Sequence, residues 1–148
     1  MSDPFSTRTT NLHAFNRTLL ECQDQVYSLA YYLLGEEKEA DAVLQSAVEK
    51  VYREGGGKTD ILRRQLLRRV LFACRERISN LETPVSGFRG LLLNLPFDLR
   101  VAVILVDLLG FDYEQAARIM GSQPEQIRRS LARARVNLSG IGPSFGIR

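Results

Sequence analysis

Histidine is scarce: His13 is the only one in 148 residues. The sequence also has no carboxylates gathered opposite a nucleophile and no phosphate-binding glycine motif. Together these gaps exclude most enzyme chemistry, and no catalytic residue is expected. "EGGGK" at 54–58 comes nearest to a phosphate loop, but it lacks the full spacing and falls between helical patterns, so it reads as a turn. Cysteine is almost as sparse. Cys22 and Cys74 show no metal-ligand spacing and lie among apolar neighbours, which predicts buried thiols in a reduced compartment. Neither a metal nor a cofactor is implied. Long apolar runs are missing too. "VAVILV" from Val101 stops at Asp107, far short of the roughly 20 residues that span a bilayer. The N-terminus lacks the apolar core of a signal peptide, so the sequence predicts a cytoplasmic chain with no membrane insertion.

What is present is a globular composition, 45% hydrophobic and 25% charged, of a length for one ordinary domain or two very small ones. The net charge of +3 is modest; its distribution says more. From Glu21 to Glu54 eight acidic residues face three basic ones, a local charge of −5, whereas Lys58 to Arg77 holds seven basic and two acidic residues, a local charge of +5. Blocks of opposite sign predict two surfaces with different partners.

Apolar periodicity predicts an all-α fold. Residues 1–11 carry no period and read as a mobile arm. Leu12, Phe15, Leu19, Cys22, Val26, Leu29 and Leu33 then recur at three and four until Gly35. A second helix places Ala40, Val43, Ala47 and Val51 on one stripe, with Leu44, Val48 and Tyr52 beside it. A third runs from Thr59 or Asp60 to about Ser79, with an apolar face assigned to Leu62, Leu66, Val70, Phe72, Cys74 and Ile78. Arg63, Arg64, Arg68, Arg69, Arg75 and Arg77 fill much of the remainder. Pro84, Gly87 and Gly90 mark 80–90 as a linker between an N-terminal three-helix unit (12–79) and a C-terminal unit (91–139). The β-branched content of "VAVILV" raises a strand, but Pro96, Gly110 and the length between them favour a buried helix. The glycine-rich tail from Ser139 reads as loose.

The segment "GFDYEQAARIMGSQPEQIRRSLARAR", 110–135, is the most informative. Asp112 and Gln115 stand in capping-box register, and Ser122 and Glu125 repeat the offset, with Pro124 in the first turn. Two helix starts ten residues apart with Gly121 between them describe a helix-turn-helix. In its second helix Ile127, Leu131, Ala134 and Leu138 form a packing stripe. Arg129 and Arg133 lie near the opposite face with Gln126 beside them and Arg128 and Arg135 on the flanks. Long donors on an exposed helix suit the major groove. Gln123, Gln126 and Arg129 are placed to meet base edges and Arg128 and Arg133 to meet phosphates, with Ser122 and Arg135 as further DNA-binding residues.

Residues 92–138 resemble region 4, the promoter-recognising domain of extracytoplasmic-function sigma factors of bacterial RNA polymerase. Leu95, Pro96 and Arg100 match its "LP...R" opening; Tyr113, Glu114, Ala117, Met120 and Gly121 match its first motif helix; Arg133, Ala134, Arg135 and Leu138 match its "RAR..L" close. The resemblance implies that 122–135 enters the major groove of the −35 element, and that the helix at 96–109 helps dock on the polymerase flap. Glu125 and Gln126 stand where the family often has glycine and threonine. The N-terminal half is similar to region 2, with Ala40, Asp41 and Gln45 in register, which implies that Ala40, Asp41, Leu44, Gln45 and Val48 lie on a polymerase-binding helix. Ala42 replaces a usual aspartate, and "QLLRRVLFACRERI" lacks the tryptophan, asparagine and aspartate that help the family open and read the −10 element. Its four arginines suit phosphates, as do Arg63 and Arg64 just before it, but few aromatics are evident for stacking flipped bases.

Three functional readings follow. The first is a sigma-like initiation factor whose partners are core RNA polymerase, double-stranded promoter DNA and an anti-sigma factor. The second is a sigma-like adaptor or regulator that binds polymerase or another protein without melting promoters. The third is a stand-alone helix-turn-helix repressor or activator.

Overall fold

Gly35 sets the first boundary. Its φ of +76° is a left-handed conformation that glycine adopts without a Cβ clash, and its amide closes on the Tyr31 carbonyl at 2.7 Å. The helix it ends, α1, spans Pro4–Leu34. Residues 4–11, expected as an arm, are therefore helical, with Pro4 at the first position, where its missing amide hydrogen removes no helix bond. The structure is a computed structural model that describes residues 4–55, 59–78 and 87–139. The middle of the "EGGGK" turn, most of the 80–90 linker and the tail beyond Ser139 lie outside these residues.

Helix α2, Glu37–Arg53, carries Glu37 and Glu39 in its first turn and Lys50 and Arg53 in its last, the signs that complement the helix dipole. It buries Ala40, Val43, Ala47 and Val51, the stripe read from the sequence. Helix α3, Thr59–Ile78, packs on α1 and α2 and buries Leu62, Leu66, Leu67, Val70, Leu71 and Cys74. Phe72 departs from expectation. It was assigned to the apolar face, yet it is 62% exposed. Leu67 and Leu71 turn inward, which rotates Phe72 away from the core and among the arginines.

The C-terminal unit begins within the expected linker, because Gly87–Asn94 forms helix α4. Helix α5, Phe97–Val103, continues through a π-helical turn at Ile104–Leu108, confirming helix over strand for the β-branched run. Residues 100–105 are all buried, which explains an apolar run without a polar face. Helices α6, Tyr113–Met120, and α7, Pro124–Ser139, complete an all-α fold.

The two units pack together: α3 meets α6, and α1 meets both α4 and the π-helical turn. Arg100 joins them from inside. Only 5% exposed, it donates to the carbonyls of Leu92 at 3.1 Å, Leu95 at 3.0 Å and Leu33 at 3.3 Å, and to that of Leu93. One guanidinium thus serves the C-terminal ends of α1 and α4 at once. Burial lowers its pKa from the ordinary arginine value.

Candidate nucleic-acid interface

The helix-turn-helix is built from its caps inward. The Asp112 carboxylate accepts from the Gln115 amide at 2.7 Å, and the Gln115 side chain accepts from the Asp112 amide at 3.1 Å, so the capping box is complete. Gly121 then turns the chain at φ +70°, with the Ser122 amide donating to the Ala117 carbonyl at 2.9 Å. The second expected cap does not form. Helix α7 starts at Pro124, one residue later than the Ser122 cap requires, and the buried Ser122 Oγ has no hydrogen-bond partner. The Gln123 carbonyl instead accepts from the Gln126 and Ile127 amides.

Ile127, Leu131, Ala134 and Leu138 are buried, so the packing stripe stands as read, and α7 seats on α5 and α6. Away from that stripe, Gln123, Gln126, Arg128, Arg129 and Arg133 are exposed. The Arg129 side chain is 76% accessible and lies 3.8 Å from Glu125, while Arg128 is held closer, at 2.8 Å from the same carboxylate. Arg135 turns elsewhere: it donates to Asp107 at 2.8 Å and 3.4 Å, and this hydrogen bonding raises its pKa. Arg135 thereby ties α7 back to the π-helical turn, while Arg129 and Arg133 remain on the open face.

The arginines of α3 form a second basic surface, much of it already engaged. Arg69 pairs with Glu54 and Arg77 with Glu39, inside the N-terminal unit. Two others cross between units. Arg68 donates to the Arg118 carbonyl at 2.9 Å and approaches Gly121, and Arg75 pairs with Asp98 at 2.7 Å while its guanidinium lies 4.9 Å from the centre of the Phe97 ring. Arg63 and Arg64 line a separate cavity of about 240 Å³ with Arg118 and Gln115.

This geometry agrees with what known proteins share with the chain. Residues 88–138 match the family described as Sigma-70, region 4. The ECF RNA polymerase sigma factor SigM of Mycobacterium tuberculosis is 25% identical over 152 residues, covering 87% of this chain and 77% of that one. The sigma factor EcfG of Rhodopseudomonas palustris is 46% identical over 54 residues, 36% of this chain and 30% of its own. The C-terminal third thus carries the region 4 match, and the chain as a whole is similar to extracytoplasmic-function sigma factors. Its fold is also that of two solved sigma-factor structures. RpoE of Bartonella quintana, in complex with the anti-sigma factor NepR, has a TM-score of 0.69 at 23% identity, over 86% of this chain and 95% of that one. CnrH, in complex with the cytosolic domain of CnrY, has a TM-score of 0.73 at 21% identity, over 88% of each.

Within the region 4 match, α6 and α7 form the helix-turn-helix. The residues of α2 assigned to polymerase divide by burial. Ala40 is fully buried against the core, and Asp41 is exposed. Leu44, Gln45 and Val48 line an apolar groove of about 450 Å³ between α1 and α2. That groove also contains Leu12, Leu19 and Tyr52, which periodicity had placed in or beside the core stripes. Tyr52 is 46% exposed and meets the Phe15 ring edge-on at 5.1 Å. Such partial exposure depends on where α1 and α2 diverge, which periodicity within one helix does not report. Among the described residues no three His, Cys, Asp or Glu side chains come together to hold a metal, and no helix is long and apolar enough to cross a membrane.

Proposed function

We propose that this chain is a transcription initiation factor that binds core RNA polymerase and reads duplex promoter DNA with α7. The observation that carries this is the division of α7 into a buried stripe and an open face, on which Gln126, Arg129 and Arg133 stand beside a rigid Gly121 corner. On this reading Gln123, Gln126 and Arg129 approach base edges, and Arg128 and Arg133 hold phosphates. Ser122 is half-buried, and Arg135 positions the helix through Asp107. The α1–α2 groove and Asp41 supply an apolar surface with an acidic edge for polymerase. The two solved relatives are each complexed with a partner protein, one of them named as an anti-sigma factor, which supports such a regulator as a further partner here. The protein acts as an adaptor within the cytoplasm and catalyses nothing.

Reconstitution with core polymerase tests the proposal: initiation at defined promoters is expected in run-off transcription. Arg129→Ala should reduce specific duplex affinity by about 1–3 kcal/mol. Arg133→Ala should weaken binding across sequences and lower the salt slope by about one phosphate contact.

A second reading is a sigma-like adaptor that binds polymerase without opening DNA. It is favoured by the inter-unit bonds of Arg68 and Arg75, which engage part of the surface that opened DNA would need. Core binding with no initiation on any native promoter would select it and refute the first. Tight sequence-specific binding and regulation in the absence of polymerase would select a stand-alone helix-turn-helix regulator instead.

A further inference from the structure

We infer that the cavity between α3 and α6 is a binding site for a small polyphosphate anion, a diphosphate group, which joins the two units when it binds. The inference goes beyond the promoter-binding reading, because the site is built from both units and its occupant is a small molecule.

The first support is an imbalance of charge. Arg69, Arg75 and Arg77 of α3 are each matched by a carboxylate, those of Glu54, Asp98 and Glu39. Arg63 and Arg64, in the first half of α3, have no such partner among the described residues, and neither does Arg118 near the end of α6. All three line one cavity of about 240 Å³, and no carboxylate lines it with them. The packing of α3 on α6 thus gathers three like charges in a confined space, and an anion between them removes their repulsion. The second support is a set of donors without acceptors. The Arg63 Nε is buried and meets no hydrogen-bond partner among the described residues, so a charged donor is left unsatisfied. Gln115 commits its side-chain oxygen to the Asp112 amide, and the end it can offer the cavity is its NH2 donor. The capping box fixes Gln115, and the Arg118 carbonyl accepts from Arg68 at 2.9 Å, which pins that residue's backbone to α3. Leu67, Phe111 and Ile119, all buried, complete the lining, and an apolar surround strengthens each charged contact.

Size and charge select the occupant. The cavity is smaller than the roughly 300–1,000 Å³ of sites that take drug-sized ligands. Guanidinium forks pair with phosphoryl oxygens two hydrogen bonds at a time. A monophosphate brings only about −1.5 to −2 charges at neutral pH, too few to balance three guanidiniums. A nucleic-acid strand spreads its charge along its length, one for each nucleotide, and does not concentrate it in one cavity. Two linked phosphoryl groups bring more charge and more acceptor oxygens in one small body. Because the donors come from both units, the anion binds the packed arrangement and stabilises it by mass action.

The test titrates the full-length protein with sodium diphosphate in a calorimeter, without divalent cations and at fixed ionic strength. A single saturable site is expected, with orthophosphate bound about tenfold more weakly for want of one charged contact. At about 100 times Kd the melting temperature should rise by roughly 5–10 °C. Arg64→Ala in one unit and Arg118→Ala in the other should each weaken binding about 10- to 150-fold, the value of a hydrogen bond to a charged group. Arg118→Lys should recover part of the loss, since an ammonium keeps the charge but not the fork. Arg53→Ala, which removes an arginine of α2 bound to Glu49, should bind as the wild type does. All of these side chains are exposed, so the variants should keep the wild-type circular dichroism spectrum. A nucleoside 5′-diphosphate provides a second arm. Tighter binding than inorganic diphosphate makes a nucleotide the source of the group, equal or weaker binding makes it the free anion, and either supports the site. Absence of saturable binding would overturn the inference, as would an equal loss in Arg53→Ala or no loss in Arg118→Ala. If Arg118→Ala weakens duplex DNA but not diphosphate, the cavity is a backbone contact and the inference falls. The diphosphate titrations contain neither DNA nor polymerase, so their failure is distinct from failure of promoter binding.

Discussion

Arg100→Met removes a guanidinium and keeps an aliphatic stem of similar reach, so it isolates the hydrogen bonds from the packing. Four carbonyls lose a charged donor: Leu33 at the end of α1, Leu92 and Leu93 in the last turn of α4, and Leu95 beyond it. A hydrogen bond to a charged group contributes about 1.5–3 kcal/mol, so the gross loss is about 6–12 kcal/mol. Two terms reduce it. The unfolded state no longer gives up the hydration of a guanidinium, worth several kcal/mol per ion. The Leu92 carbonyl also keeps the Leu95 amide at 3.2 Å. The expected net loss is about 3–5 kcal/mol, what remains of the gross loss once several kcal/mol of guanidinium dehydration is relieved. That is a large share of the roughly 5–15 kcal/mol that holds a typical domain folded. The sequence contains no tryptophan, so urea unfolding is best followed by far-ultraviolet circular dichroism. Arg100→Lys should fall between wild type and Met, because an ammonium reaches fewer carbonyls. A loss below about 1 kcal/mol for Arg100→Met would refute this reasoning and show that water replaces the guanidinium without penalty.

Asp112→Ala should cost about 1 kcal/mol by removing one half of the capping box, while Asp112→Asn should retain most of the stability. The difference appears as a melting shift of about 2–4 °C. Gly121→Ala should cost about 1–2 kcal/mol, because the corner has φ +70° and a new Cβ would stand 3.4 Å from the Arg68 guanidinium; equal melting temperatures for the two proteins would contradict it. Burial pushes the Cys74 thiol from 9.0 up to about 12. The folded protein therefore favours the neutral thiol, and this contribution to stability is complete below about pH 9 and is lost as pH rises toward 12. Iodoacetamide at mildly alkaline pH should modify Cys74 only as fast as the protein opens, and mass spectrometry across a urea series checks this.

What the sequence made legible was whatever repeats along a single helix. The stripes Ala40–Val43–Ala47–Val51 and Ile127–Leu131–Ala134–Leu138 follow from spacing alone, as does the Asp112 cap, whose partner is three residues away. The arginine face of α7 is legible for the same reason, being what remains when the stripe is packed. The rest depends on which helix lies opposite. Phe72 reads as core by spacing, and only the burial of Leu67 and Leu71, which stand beside Ile119 of the C-terminal unit, places it outside. Arg135 reads as another exposed cation until the π-helical turn brings Asp107 beneath it. Arg100 reads as a motif residue, and its carbonyl partners come from two other helices and the bend after one of them. Ser122 has the right identity for a cap, but α7 starts one residue too late to use it.

The bond between Arg75 and Asp98 crosses between units with both side chains more than 60% accessible. A pair so wet contributes roughly 0–1 kcal/mol and is screened as salt rises. Arg100, out of reach of counterions, holds at any ionic strength. Added salt therefore pulls nucleic-acid binding in two directions. It weakens every phosphate contact, and it also releases Arg75 from an internal competitor. A plot of log affinity against log salt should be shallower at low salt than the number of phosphate contacts implies, and should steepen once Arg75 is free. Substituting Asp98 with alanine should restore a single straight line.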